Sequence, residues 1–222
     1  MLSNDNLIFA LPKGRILREV LPLVRKAGIE PEEAFEDEGV RRLSFSTRDP
    51  KINVIRVRSI DMGTILSFGV AHFGIAGADV LMELDSSEIY APVDLKVGVC
   101  RMVVAEPEDL AETDTPVRWS NIRVATKYPK ITRQHFASRG VQAECIKLNG
   151  AIEVAPSLGL CRRIVDLVST GATLRANGLV EVEEIANISS RLAINRTSMK
   201  TRPDEMSYWI ERFRGVVNDD NR

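Results

Sequence analysis

Residues 163–179 read RIVDLVSTGATLRANGL, a stretch that sets the residue types suited to a phosphate ester in a workable order. An apolar run delivers Asp166, the turn Ser169-Thr170-Gly171-Ala172-Thr173 follows, and Leu174 begins a helical pattern. A phosphate asks for several backbone N–H groups converging on one point, for hydroxyl donors, and for the dipole of a helix start. Gly171 lets the chain curl closely around an anion, while Ser169, Thr170 and Thr173 add hydroxyls. Asp166, just upstream, can accept hydrogen bonds from ribose hydroxyls. The same residues also make an ordinary helix cap, because Ser and Thr are frequent there, and TGxT alone is a short motif. The apolar strand carrying a carboxylate is what favours the phosphate reading.

Other charged residues stand where ligand contacts are common. Lys13 and Arg15 follow the end of an apolar run, the usual place for such contacts in α/β sheets. Arg58 sits at a strand end and Arg101 inside an apolar stretch, where a buried guanidinium needs a partner, either ligand or carboxylate. Glu153 lies in a mostly apolar context after Asn149-Gly150. For each of these a solvated surface charge is the alternative. Asp61 has the simpler task of capping, or of orienting Arg58.

Hydrophobic periodicity supplies the elements that would carry these groups. Strands are expected at 7–11, 43–47, 52–57, 73–76, 122–126, 143–148, 164–168, 179–186 and 191–194. Helices are expected at 16–27, closed by Gly28, at 61–69, after Gly77, at 131–139, after 173, and from Pro203 to about 217. The run 93–105 is long for a strand and reads as one that begins in one lobe and ends in another. A polar connection covers 106–120, and 218–222 reads as a frayed tail. Alternating strands and helices favour an α/β architecture with mixed, largely parallel sheets. Two long connections, near 97 and 182, imply two lobes joined by a double hinge with a ligand cleft between them. Lobe I would comprise 1–97 and 182–222, and lobe II, with the 166–174 loop, 98–181.

The bulk numbers exclude several function classes. With 222 residues, 44% hydrophobic and 27% charged, the chain has the make-up of an ordinary globular enzyme. A formal charge of −1 recruits neither nucleic acid nor an anionic membrane. No window nears the length of a transmembrane helix, and residues 1–11 do not resemble a signal peptide, so a cytoplasmic protein is expected. Cys100, Cys145 and Cys161 lack CxxC spacing and read as reduced thiols. The two histidines, His72 and His135, have no nearby metal-ligand companions, which argues against a zinc site or a Ser-His-Asp triad.

Strand, carboxylate, TGxT and helix together resemble the phosphoribosyl pyrophosphate loop of phosphoribosyltransferases. Nucleobase-type members carry two adjacent acidic residues on that strand, whereas Asp166 here is followed by Leu167. Further segments make the resemblance specific: LPKGR at 11–15, VRSID at 57–61, FGIAGADV at 73–80, GVCR at 98–101, ATKYP at 125–129 and KLNGAIEVAP at 147–156. In this order they resemble the ATP phosphoribosyltransferase family across nearly the whole chain. Small departures occur at Ser59-Ile60 and Arg162-Arg163, outside the loop. The resemblance implies a two-lobed fold like that of type II periplasmic binding proteins, with both substrates in the cleft. It also implies the short form, which lacks a carboxy-terminal regulatory domain. Such chains form homodimers within a hetero-oligomer, alongside a regulatory subunit related to histidyl-tRNA synthetase.

The implied reaction joins N1 of the adenine of ATP to the anomeric carbon of phosphoribosyl pyrophosphate, with Mg²⁺ on the substrate phosphates and no protein ligand assigned to it. In that scheme Ser169, Thr170, Gly171, Ala172, Thr173 and Leu174 hold the 5-phosphate, and Asp166 and Glu153 hold the ribose. Lys13, Arg15, Arg58 and Arg101 neutralise phosphates. Lys127 and Tyr128 frame the adenine or ribose, although Tyr128 fits core packing nearly as well. Three rivals remain. A solute-binding module would need neither the loop nor a missing leader, a nucleobase phosphoribosyltransferase would want a second acidic residue, and an interaction subunit would not need an intact loop.

Overall fold

The structure is a computed structural model that describes residues 6–37, 39–111 and 121–220. The chain divides into two compact units, residues 1–98 with 189–222 and residues 99–188.

The sheet of the first unit is built from β1 (Leu7–Pro12), β2 (Ser44–Ser46), β3 (Ile52–Val57), β4 (Phe73–Gly77), β5 (Ile89–Asp94) and β11 (Ser190–Asn195), in the order β2-β3-β1-β4-β11-β5. β1 is apolar almost throughout because it lies between parallel neighbours β3 and β4, covered on both faces. Helix α1 (Arg15–Lys26) buries Leu17, Val20, Leu21, Leu23 and Val24, a stripe at helical spacing. It ends at Gly28, whose φ of +101° suits a helix terminus. Helices α2 (Ser59–Ser67) and α3 (Ala78–Leu84) follow β3 and β4. The last helix of the chain, Pro203–Asp220, sets Met206, Trp209, Ile210, Phe213 and Val217 into the core. There Phe73 stacks between Phe9 and Trp209, with ring centroids 4.6 and 5.7 Å away. That helix stays regular through Asp220, where a frayed tail was expected from 218.

The sheet of the second unit comprises β6 (Cys100–Pro107), β7 (Asn121–Thr126), β8 (Gln142–Lys147), β9 (Arg163–Val168) and β10 (Leu179–Ile188), in the order β10-β6-β9-β7-β8. Helix α4 (Glu108–Ala111) follows β6, α5 (Pro129–Ala137) joins β7 to β8, and α6 (Ala172–Ala176) follows β9. A short helix α7 (Arg196–Thr201) links β11 to the last helix, α8.

Three expectations need correction. The run 93–105 is not one strand: β5 ends at Asp94 and β6 begins at Cys100. Between them Lys96 and Gly98 have φ of +58° and +66°, values no strand accommodates. Asp94 holds this break, accepting from the Lys96 amide at 3.0 Å and the Ser189 hydroxyl at 2.7 Å and pairing with Arg191 at 3.2 Å. Burial pushes the Asp94 carboxyl up, but these donors outweigh it and hold it below its ordinary value. Second, residues 182–188 do not belong to lobe I. β10 pairs with β6 from Leu179 to Ile188, so the return to the first unit comes at Ser189. Third, the sheets are mixed without a parallel excess, because β2, β5, β6, β10 and β11 all enter antiparallel pairings. The expected polar connection lies outside the described residues from 112 to 120.

Candidate active site

In the second unit β9 runs parallel to β7, and β7 parallel to β8. The segments leaving all three strands therefore emerge at one edge of the sheet, the carboxyl edge where α/β sheets present ligand contacts. After β7 come Lys127 and Tyr128. After β8 comes the stretch to the 3₁₀ turn Ile152–Val154, and after β9 comes the Ser169–Thr173 turn. β6, antiparallel to β9, starts at the same edge with Arg101 opposite Val168.

Glu153, Asp166 and residues 167–174 line one pocket of about 170 Å³. Gly171 turns the chain with φ +73°, at the position before α6. It is also hemmed in: a Cβ there would lie 2.8 Å from Arg175 Nη1 and 3.2 Å from Glu181 Oε1. Any side chain there would be strained at this φ and would have to displace the ends of Arg175 and Glu181. Ser169, Thr170, Ala172 and Thr173 are exposed, and the Ala172 amide donates to Thr170 Oγ1 at 3.4 Å. The Leu174 side chain instead joins the core with Ile152, Val168 and Leu179, anchoring the turn from below and leaving only its backbone for a ligand.

Asp166 is the electrostatic centre of the pocket. Its carboxyl is pushed up to about 6, first by burial and then by the neighbouring Glu153 carboxylate, against the Leu167 amide and Lys127. The Leu167 N–H donates to Asp166 Oδ1 at 2.8 Å. Lys127 thus belongs to the pocket's electrostatics. Tyr128 does not open to a ligand: it is 3% exposed, and its backbone is tied to Thr126 Oγ1 and Thr132 Oγ1. Packing is its role here, and the expected framing of a base by its ring is withdrawn.

Arg101 is engaged by a carboxylate. Its Nη1 lies 2.7 Å from Glu181 Oε2, and its Nη2 donates to Glu181 Oε1 at 3.1 Å. The sequence expected a partner for this arginine if it were buried; its side chain is 39% exposed, and the partner it has, Glu181, lies 80 residues on. Sequence reasoning also missed the pair Arg163–Glu106, 3.0 Å apart and buried on both sides.

In the first unit, β1 and β3 end side by side in parallel, with Pro12 opposite Val57, so Lys13 and Arg58 leave adjacent strand ends. The Lys13 amide donates to the Val57 carbonyl at 2.8 Å. Lys13 borders a groove of about 840 Å³ that also takes in Arg18, Arg25 and Arg41 over Leu17, Leu21 and Leu43. Arg41 and Arg18 had no signal in the sequence beyond their charge. Arg15 and Arg58 are exposed and outside that lining, and Arg15 pairs with Glu19 at 3.2 Å.

Among the described residues no group of three or more His, Cys, Asp or Glu side chains is placed to hold a metal ion. His72 accepts the Ile8 amide through Nδ1 at 3.0 Å, and burial followed by Arg202 lowers its pKa, against Glu205. Among the described residues no helix is long and apolar enough to cross a membrane.

Known proteins point the same way as this geometry. The family model described as HisG: ATP phosphoribosyltransferase matches residues 58–215. The ATP phosphoribosyltransferase of Paramagnetospirillum magneticum is 64% identical over 96% of this chain and 98% of its own length. That of Rhodospirillum rubrum is 63% identical over 95% and 92%. Among solved structures, the ATP phosphoribosyl transferase (HisG:HisZ) complex from Thermotoga maritima is similar with a TM-score of 0.79 and 31% identity, covering 96% of this chain and 99% of that one. The periplasmic aliphatic sulphonate binding protein SsuA from Escherichia coli has a TM-score of 0.55 at 13% identity, over 97% and 73%, a likeness of fold alone. The α/β fold in two units is accordingly that of type II periplasmic binding proteins, as the motifs implied.

Proposed function

The chain belongs to the HisG family of ATP phosphoribosyltransferases, and from that premise we propose how its residues divide the work. It is an enzyme that transfers the 5-phosphoribosyl group of phosphoribosyl pyrophosphate to N1 of the adenine of ATP, the first step of histidine biosynthesis. The N1–C1 bond forms as the bond from C1 to the pyrophosphate oxygen breaks, so positive charge grows on the ribose while negative charge departs. Positioning and electrostatics meet those demands without a covalent nucleophile.

The observation that carries the assignment of roles is the single pocket joining Glu153 and Asp166 to the turn at 169–174. Hydroxyls of Ser169, Thr170 and Thr173, with amides of the turn, hold the 5-phosphate. Asp166 and Glu153 accept the ribose hydroxyls and face the growing positive charge at C1. Lys127 steadies the ionised form of Asp166, an effect supported by its influence on that carboxyl. On the first unit, Lys13 with Arg18 and Arg41 along the groove supplies cations for a polyphosphate, and Arg58 and Arg15 stand at the same strand ends. Mg²⁺ fits as an ion carried on the substrate phosphates, with Asp166 and Glu153 the nearby carboxylates, and there it would neutralise charge on the departing pyrophosphate.

We assign the chain to the short form, cytoplasmic and assembled as a homodimer with a regulatory subunit. The Thermotoga maritima structure, a HisG:HisZ complex, supports the regulatory partner, and relatives covered over nearly their whole length support the short form. The test is ultraviolet detection of phosphoribosyl-ATP from ATP, phosphoribosyl pyrophosphate and Mg²⁺, with a cognate regulatory subunit present. Wild type should form product, and Asp166→Ala combined with Thr173→Ala should lose at least about a hundredfold in rate. Unchanged turnover in the folded double variant would remove the loop from the site.

A further inference from the structure

We propose that Glu181 is a positioning residue for phosphoribosyl pyrophosphate, a clamp that fixes Arg101 against the underside of the Gly171 turn. The inference rests on the phosphoribosyltransferase reading of that turn. Glu181 lies on β10, at a bulge where the pairing with β6 shifts between Glu181 and Glu183. Its carboxylate takes Arg101 in a two-bond fork, Nη1 to Oε2 at 2.7 Å and Nη2 to Oε1 at 3.1 Å. The same Oε1 lies 3.2 Å from where a Cβ on Gly171 would stand. Arg175 Nη1 is 2.8 Å from the same position, and Arg175 Nη2 donates to the Thr170 carbonyl at 3.1 Å. One carboxylate oxygen therefore takes the guanidinium of Arg101, near the start of β6, and borders the space that a side chain at residue 171 would fill.

A fork of this kind fixes a guanidinium in direction as well as place. Arg101 is opposite Val168, the last residue before the turn, so its side chain lies along the sheet face on which the turn rests. Glu184 stands farther off, 3.8 Å from Arg101 Nη1, and makes no second bond of a fork. Without Glu181 the guanidinium would gain freedom, and the turn would lose the group packed beneath its glycine. Both losses fall on the ligand held by the turn and leave the groove of the first unit untouched.

Wild type, Glu181→Ala, Glu181→Gln, Arg101→Ala and the Glu181→Ala/Arg101→Ala double variant are compared by steady-state kinetics with the regulatory subunit present, and by calorimetric titration with phosphoribosyl pyrophosphate. Glu181→Ala should raise KM for phosphoribosyl pyrophosphate about tenfold while KM for ATP stays within about twofold. Glu181→Gln, which keeps the shape and one acceptor, should recover part of the loss. In the Arg101→Ala background, Glu181→Ala should add less than about twofold, because residues acting through one another are not additive. Unchanged affinity in folded Glu181→Ala would overturn the proposal. So would an equal rise in both KM values, or effects that simply multiply. Should Glu181→Ala fail to fold, Glu181→Gln decides by the same readouts. A wild type that makes no phosphoribosyl-ATP would sink the enzymatic reading alone, provided calorimetry still shows weaker binding to the variants.

Discussion

The pocket of the second unit is about 170 Å³, and its polar groups are backbone amides, short hydroxyls and two carboxylates fixed by β9 and the turns beside it. The groove of the first unit is about 840 Å³, and its charges ride on long side chains from α1 and from the 36–43 segment. The buried arginines differ in the opposite sense. In the first unit Arg56 gives its guanidinium to the carbonyls of Phe35, Asp37 and Val40 at 2.7, 3.2 and 2.8 Å, beneath the ring of Phe45. In the second unit Arg163 is matched to the carboxylate of Glu106 at 3.0 Å. A site made of fixed groups breaks when its backbone is disturbed, and a site made of long cations weakens by degrees.

The largest expected effect separates the buried arginines. Burial pushes the Glu106 carboxyl above its ordinary value even with Arg163 beside it, and both side chains are buried, so removing one leaves the other without compensation. Glu106→Ala leaves a buried guanidinium unmatched and should cost about 3–5 kcal/mol in urea unfolding followed by circular dichroism. Replacing both partners, Arg163→Met with Glu106→Leu, should return stability to within about 1 kcal/mol of wild type. A loss below about 1 kcal/mol in Glu106→Ala would mean that water reaches Arg163, ending the contrast with Arg56.

Next in size is the contrast between the two anion sites. Gly171→Ala imposes a side chain at φ +73°, where Arg175 and Glu181 already stand. With strain and displacement together, kcat/KM for phosphoribosyl pyrophosphate should fall about a hundredfold. Lys13→Ala removes one cation from a broad groove and should raise KM for ATP about tenfold, with KM for phosphoribosyl pyrophosphate unchanged. Equal losses in the two variants, against both substrates, would erase the difference between fixed and flexible sites.

Much of this organisation was legible because it is local. The strand 52–57, with its alternating burial, and the helix ended by Gly28 follow from period and punctuation within about a dozen residues. The 166–173 loop was legible for the same reason, since strand, carboxylate, turn and helix are contiguous. What escaped depends on partners distant in sequence. The break after Asp94 needs Ser189 and Arg191, and the fork on Arg101 needs Glu181. An apolar window spanning 93–105 holds neither fact. For Tyr128 the sequence left a site and core packing nearly level, and its burial where the chain turns into α5 favours packing.

The smallest effect concerns pH and tests whether Asp166 is as enclosed as its surroundings indicate. Burial, seconded by Glu153, raises its carboxyl from 3.8 to about 6, while the Leu167 amide and Lys127 pull the other way. A protonated Asp166 cannot serve a ribose hydroxyl as a charged acceptor, so kcat/KM for phosphoribosyl pyrophosphate should bend downward near pH 6, by about twofold there and steepening below. Asp166→Asn should abolish that bend along with most of the activity. Lys127→Met should move the bend to higher pH, and Glu153→Gln to lower pH. Unfolding linked to this group cannot mimic the effect. A carboxyl raised by folding contributes stability that is full below 3.8 and is lost as pH rises through about 6, so acidification across that window stabilises the fold through Asp166 while activity declines. A bend that stayed in place in both Lys127→Met and Glu153→Gln would show that the titrating group is not Asp166, and the pocket would lose its electrostatic centre.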